Sequence, residues 1–136
     1  KWGDSPTEYM MYIGESKETG KQYIRLTDEL SIGNAQFYAI GYGFYGEPER
    51  FFLVCCLFKG EENYNLLKTI CEGRFGEATK EGWLYQLYWA GQKGCISLDY
   101  DSIEEEGYLS LASFPIMAEK TKAEEQEEIS GAEGDF

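Results

Sequence analysis

The sequence predicts an α+β domain, in which an antiparallel sheet of about six strands carries two helices on one face. The first observation is an unbroken apolar run at 51–58, which is typical of a central strand whose two faces are both covered. The second is an amphipathic segment that follows this run directly. The third is a series of short alternating segments separated by glycine-containing turns. Together they predict the order helix, three strands, helix, three strands.

The first predicted helix has a complete set of start and stop signals. Ser5 is placed as the N-cap, Pro6 stands at the first helical position, and Glu8 completes an S-x-x-E capping box. Gly14 is placed to end this helix about two and a half turns later.

The second predicted helix follows the central strand and a turn at 59–60. Asn63 is the expected N-cap, and Gly73 or Gly76 is expected to end the helix. Apolar residues at a spacing of three and four indicate one buried face. They are Tyr64, Leu67, Ile70 and Cys71.

Alternation and turn residues predict three strands on each side of this second helix. The first three are expected at 22–30, 35–45 and 51–58, the last two of them forming a hairpin through the turn at 46–49. Two glycines within the second of these strands indicate a bulge or a close approach. The remaining three strands are expected at 83–90, 95–100 and 108–114, as an antiparallel meander.

The composition changes after Pro115, where glutamate becomes frequent and large apolar residues become rare. Such a segment lacks the apolar surface needed to join a packed core. The sequence therefore predicts a single domain over 1–117 and an acidic, flexible tail over 118–136.

The bulk charge limits the partners of this chain of 136 residues. A net charge of −13 argues against nucleic acid and anionic membrane surfaces, since both require clustered Lys and Arg. No apolar run approaches the roughly 20 residues that cross a bilayer. A protein is the expected partner, and the sequence does not fix the oligomeric state.

The four cysteines have no paired C-x-x-C spacing. We expect buried, free thiols, because free cysteine is among the most buried residue types. Two disulfides in an exported protein are the alternative. Cys55 and Cys56 are adjacent on the central strand and are therefore expected on opposite faces.

No catalytic, metal or cofactor site is predicted. The chain contains no histidine, which excludes Ser-His and Cys-His nucleophilic systems and HExxH zinc proteases. The glycines at 41–46 match GxGxxG in form, but a proline-containing turn follows them instead of a helix. The acidic loop that begins at Asp99 lacks the glycine and glutamate that a calcium loop requires.

Two segments carry a resemblance to a known family. The pattern G-x-S-x-x-E-Y-x-x-x-I-G at 3–14 resembles the opening helix of small bacterial envelope proteins, namely the outer-membrane assembly lipoproteins and the β-lactamase-inhibitor-like domains. The segments Y-x-x-L at 64–67 and F-G-E-A at 75–78 are similar to the same motif. The resemblance implies a two-layer α/β unit that binds proteins, has no active site and is exported to the cell envelope. A chain that begins at Lys1 is consistent with removal of a leader.

The aromatic residues exceed what a small core is expected to need. Trp and Tyr combine a large apolar area with a polar group, which makes them frequent anchors of binding surfaces. The predicted binding surface consists of Tyr42, Trp83, Tyr85 and Trp89. The leading functional hypothesis is a non-catalytic protein-interaction domain. The alternative is an intracellular small-ligand-binding or enzyme-like domain with an aromatic sheet face as its pocket wall.

Overall fold

The computed structural model describes residues 1–82 and 85–134, and in it the chain is mostly β-structure. The large antiparallel sheet has the strand order β1-β2-β5-β6-β10-β9-β8-β7, with β6 near its centre. The strands of this sheet are β1 (Met10–Ser16), β2 (Gly20–Arg25), β5 (Ala39–Tyr45), β6 (Arg50–Lys59), β7 (Lys80–Glu81), β8 (Gln86–Ala90), β9 (Gly94–Asp101) and β10 (Glu106–Ser113). A small hairpin and two helices complete the fold: β3 (Ser31–Ile32), β4 (Ala35–Gln36), α1 (Glu61–Phe75) and α2 (Phe114–Gly134).

The predicted layout of six strands and helix–strand–helix order is wrong. Where the first helix was expected, β1 pairs antiparallel with β2 in the large sheet. A capping interaction contributes only about 1 kcal/mol, and a helix of about nine residues is marginal without tertiary support. Tyr12 and Ile13 favour a strand, and the pairing with β2 decides the conformation.

The central strand and the helix after it lie where the sequence places them. β6 pairs with β5 on one side, as a hairpin, and with β10 on the other. α1 ends at Gly76, whose φ of 81° requires glycine. The N-cap, however, is Gly60 instead of Asn63. The Asn63 side chain donates to the Lys59 carbonyl at 2.8 Å and accepts from the Gln36 amide at 3.0 Å, so it ties the small hairpin to the helix.

The core lies between α1 and one face of the sheet, which we call the helix face. Leu67 of α1 and Phe58 and Leu98 of the sheet are completely buried there. The opposite face, which we call the open face, carries Leu53 and Leu57 of β6, both only half-buried. The expectation that both faces of the central strand are covered therefore holds for the helix face alone.

The N-terminal residues and α2 pack at one end of the sheet. Gly3 donates to the Phe51 carbonyl at 2.8 Å, and the Trp2 ring stacks on the Phe51 ring with centroids 4.7 Å apart. α2 continues directly from β10, and Ile116 in its first turn is buried. Further along α2, Glu119 forms an ion pair with Arg50 at 2.5 Å. The acidic segment is thus helical through Gly134, and its flexibility stays a prediction.

All four cysteines are free thiols, as expected. Cys56 and Cys71 are buried in the core under α1, whereas Cys55 and Cys95 are half-buried. In the described part of the chain, no helix is both long and apolar enough to span a membrane.

Candidate functional site

The predicted surface residues that the structure describes, Tyr42, Tyr85 and Trp89, do not come together in the fold. Trp83 lies outside the described residues. Tyr42 is on β5 and Trp89 is on β8, four strands away, which corresponds to about 19 Å. Trp89 is only 4% exposed, and its indole Nε1 donates to the Gly76 carbonyl at 3.0 Å. Its ring thus helps to hold the end of α1 against the sheet.

Tyr85 belongs to an aromatic cluster beside the start of α1. Its ring meets the rings of Tyr64 and Tyr100 edge-on, at centroid distances of 5.1 and 5.4 Å. Its hydroxyl donates to Glu61 at 3.0 Å, and this carboxylate raises the pKa of Tyr85. The backbone φ of 64° at Tyr85 is unusual for a bulky residue, and these contacts hold it in place.

Tyr42 is fixed by two charged neighbours. Its hydroxyl donates to Asp28 at 2.5 Å and accepts from the guanidinium of Arg25 at 2.9 Å, while that guanidinium lies 4.9 Å from the ring centroid. Burial and the Asp28 carboxylate raise the pKa of Tyr42 to about 12. Tyr42, Tyr85 and Trp89 all have internal partners, and their part in binding stays a prediction.

The most exposed apolar strand is β1, at one edge of the large sheet. In the described structure β1 pairs with β2 on one side and has no strand neighbour on the other. Three successive side chains, Met11, Tyr12 and Ile13, are about half exposed, and Tyr9 just before the strand is 70% exposed. A β-bulge between Tyr12 and Gly14 inserts Ile13 as an extra residue. We call this row of residues, 9–13, the β1 edge.

An apolar groove lies beside the β1 edge, on the open face. Its volume is about 210 Å³. Gly41 contributes to its floor, since a Cβ placed there would meet no atom within 4 Å. We call it the Gly41 groove. Its lining is Ile13, Thr19, Gln22, Ile24, Ala39, Ile40, Gly41, Tyr42, Cys55 and Leu57.

The polar residues of the groove are bonded to one another or to their turn. The Thr19 hydroxyl shares a hydrogen bond with the Ser16 hydroxyl at 2.5 Å and accepts another from the Gln22 amide. The Ser16 hydroxyl also accepts from the Thr19 amide at 3.1 Å. Burial raises the pKa of Cys55, so its sulfur is held as an apolar thiol instead of a thiolate. This chemistry suits burial of an apolar group.

The charges around the β1 edge are predominantly negative. Lys21 is paired with both Glu47 and Glu49 at 3.1 Å, and Lys17 lies 3.9 Å from Glu128. Three exposed acids have no ion pair with any described residue. These are Glu8, Glu15 and Glu18.

The sequence contains a signal for the groove in the two glycines of β5. The two glycines in β5 indicated a bulge or a close approach, and the structure has both at Gly43. A Cβ on Gly43 would lie 2.6 Å from the Thr19 carbonyl oxygen, and the ladder between β5 and β6 shifts just after it. The residues of the β1 edge were instead assigned to the first predicted helix.

Among the residues that the structure describes, no group of three or more acidic or cysteine side chains is arranged to hold a metal ion. No protein-family model, curated protein or solved structure matches this chain.

Proposed function

We propose that this chain is a protein-binding domain whose partner is an extended apolar segment flanked by basic residues. The partner segment adds a strand to the β1 edge, and a neighbouring apolar residue enters the Gly41 groove. The observation that carries this proposal is the open, apolar β1 edge beside an apolar groove.

The backbone of β1 supplies the first part of the recognition. An edge strand presents unpaired N–H and C=O groups, and strand addition is a common way to bind peptides. The opposite edge is formed by β7, which has only two residues, Lys80 and Glu81. Seven residues of β1, rich in apolar side chains, offer a much longer ladder.

The groove supplies the side-chain specificity. Its floor at Gly41 lies two strands from the β1 edge, which is about 10 Å. A residue paired with β1 does not reach that far, so the anchor comes from a residue a few positions beyond the paired segment. There the partner chain crosses Ile13 onto the open face. A volume of about 210 Å³ accommodates one large aliphatic or aromatic side chain.

Charge complementarity defines the flanks of the partner segment. The chain carries a net charge of −13, and the three acids near the β1 edge lack described ion-pair partners. Lys or Arg on each side of the apolar segment is attracted by this negative charge, which strengthens binding. Binding is therefore expected to weaken as salt is raised, mainly through slower association.

Selection of peptides from a random display library against the folded chain tests the proposal. We expect enrichment of peptides with alternating apolar residues, basic flanks and one large apolar residue beyond the alternating part. On binding they should protect β1 amides from hydrogen exchange. Enrichment of helical or acidic peptides, or protection elsewhere only, would contradict strand addition.

Two variants separate the edge from the groove. Met11→Lys places a charge on the edge strand, a device by which natural sheets prevent pairing, and should abolish binding of the selected peptides. Gly41→Val fills the groove, and should weaken binding while strand pairing with β1 remains. Ile103→Lys is the matched control, because Ile103 is 89% exposed in the turn between β9 and β10. Equal binding by all three variants would refute the assignment.

A further inference from the structure

A second apolar site lies on the helix face, at the C-terminal end of α1. It is an open cleft of about 360 Å³, which we call the aromatic cleft. Trp2 and Phe75 line it and are 38% and 53% exposed, and the buried ring of Trp89 lines it as well. A smaller cavity of about 110 Å³ shares Phe75 with it, together with Ile96 and Leu111. The apolar surface therefore continues beneath the last turns of α1.

Several polar groups around the cleft already have partners. The Trp89 indole donates to the Gly76 carbonyl, and the Ala90 amide donates to the Thr79 hydroxyl at 2.9 Å. The Gly91 amide donates to the Gly94 carbonyl at 2.8 Å. Because these polar groups are already bonded, a ligand would be recognised mainly by the shape of the cleft and by the charge distribution of its aromatic rings.

The electrostatics of the cleft favour a positive ligand. The residues that line it carry no formal charge, and two of its aromatic side chains, Trp2 and Phe75, are exposed enough for the negative face of a ring to attract a desolvated cation. The cleft also lies at the negative end of the α1 dipole. Lys1, Arg74 and Lys93 lie nearby and oppose this attraction, but all three are exposed to solvent. The net charge of −13 adds a favourable long-range field.

We infer that the aromatic cleft binds a small hydrophobic organic cation of the quaternary-ammonium class. Such a cation is weakly hydrated, makes no hydrogen bonds through its alkyl groups and is attracted by Trp and Phe rings. The site is separate from the β1 edge and does not depend on the proposed protein partner.

Calorimetric titration of the intact chain tests this inference with two pairs of probes. Benzyltrimethylammonium should bind, and benzenesulfonate, an anion, should not. Choline should bind about five-fold or more tightly than 3,3-dimethylbutan-1-ol, which has the same shape without the charge. Equal binding of choline and the alcohol, or no binding of benzyltrimethylammonium, would overturn the inference.

Substitutions at Phe75 locate the site. Phe75→Leu keeps an apolar side chain but removes the ring, and should weaken benzyltrimethylammonium binding about five-fold. Phe75→Tyr restores a ring and should bind as the unmodified chain does. Tyr9→Leu, which removes an exposed ring at the β1 edge, should leave cation binding unchanged. Unchanged affinity in Phe75→Leu, or an equal loss in Tyr9→Leu, would place the cation elsewhere and refute the assignment.

Discussion

The two faces of β6 differ although their residues alternate along a single strand. On the helix face, Cys56 and Phe58 are almost completely buried, whereas on the open face Leu53, Cys55 and Leu57 are half-buried. All five are apolar. Since α1 covers only the helix face, packing against this helix does not explain the apolar character of the open face. The comparison teaches that an unbroken apolar run predicts a strand, but not how well each of its faces is covered.

The largest expected effect is on the helix face. Leu98→Ala removes a completely buried side chain in contact with the core under α1. We expect it to lower the free energy of unfolding by about 2–5 kcal/mol, because the cavity left behind cannot collapse fully. Urea denaturation of the variant and the unmodified chain measures the difference. A loss under about 1 kcal/mol would mean that the helix face is not the tightly packed one.

Two glycines of β5 on the open face should respond in opposite directions. Gly43→Ala should destabilise the domain by about 1–3 kcal/mol, since its Cβ would lie 2.6 Å from the Thr19 carbonyl oxygen. Gly41→Ala meets open space and should stabilise it by roughly 0.5–1 kcal/mol, because glycine in a strand interior costs conformational entropy. Thermal unfolding of the two variants distinguishes them. Equal losses at both positions would show that the Gly41 groove is closed in solution.

Leu57→Ala tests the open face directly. Leu57 is half-buried and lines the Gly41 groove, so truncation removes only part of a packed environment. We expect a loss of about 1–2 kcal/mol, clearly smaller than for Leu98→Ala. The same urea titrations give the comparison. A loss as large as that of Leu98→Ala would indicate that another layer covers this face.

The smallest expected effect comes from deletion of residues 119–136. The deletion removes the ion pairs of Glu119 with Arg50 and of Glu128 with Lys17, and the hydrogen bond from Lys120 to the Lys17 carbonyl. The paired Glu and Lys17 side chains are mostly exposed, and the buried Ile116 is kept. Exposed pairs contribute at most about 1 kcal/mol, so the melting temperature should change little. Calorimetry of the shortened chain measures this. A loss above about 1 kcal/mol would show that α2 packs on the domain beyond its first turn.

Local patterns were sufficient for some elements of the fold. The central strand and α1 follow from an apolar run and from a three- and four-residue spacing, both of which report burial directly. The β1 edge was assigned to the wrong element, because its apolar residues at 9–13 are compatible with a helix or a strand. The pairing with β2, the next strand along the chain, decides between the two. The capping signals around Ser5 and Glu8 are local and were given too much weight.

The candidate sites were harder to predict than the strands. The Gly41 groove exists because β1, β2, β5 and β6 pair in one particular register, which no local spacing encodes. Trp89 and Tyr85 were selected for residue type alone. Composition contains no information on burial, and the structure places Trp89 in the core. The absence of histidine, by contrast, excluded whole classes of chemistry without any structure.

The position of β6 between β5 and β10 has a kinetic consequence. The strands β1, β2, β5 and β6 follow one another closely in the sequence, as do β8, β9 and β10, so each group can assemble through short loops. The two groups join into one sheet only when β6 pairs with β10, from the pair Lys59–Glu106 onward. These two strands are separated in the sequence by α1, β7, β8 and β9. Such distant pairing is slow, on the order of milliseconds to seconds. Until it forms, the apolar β6 is a second open edge, and the nascent chain is most prone to aggregate in that interval.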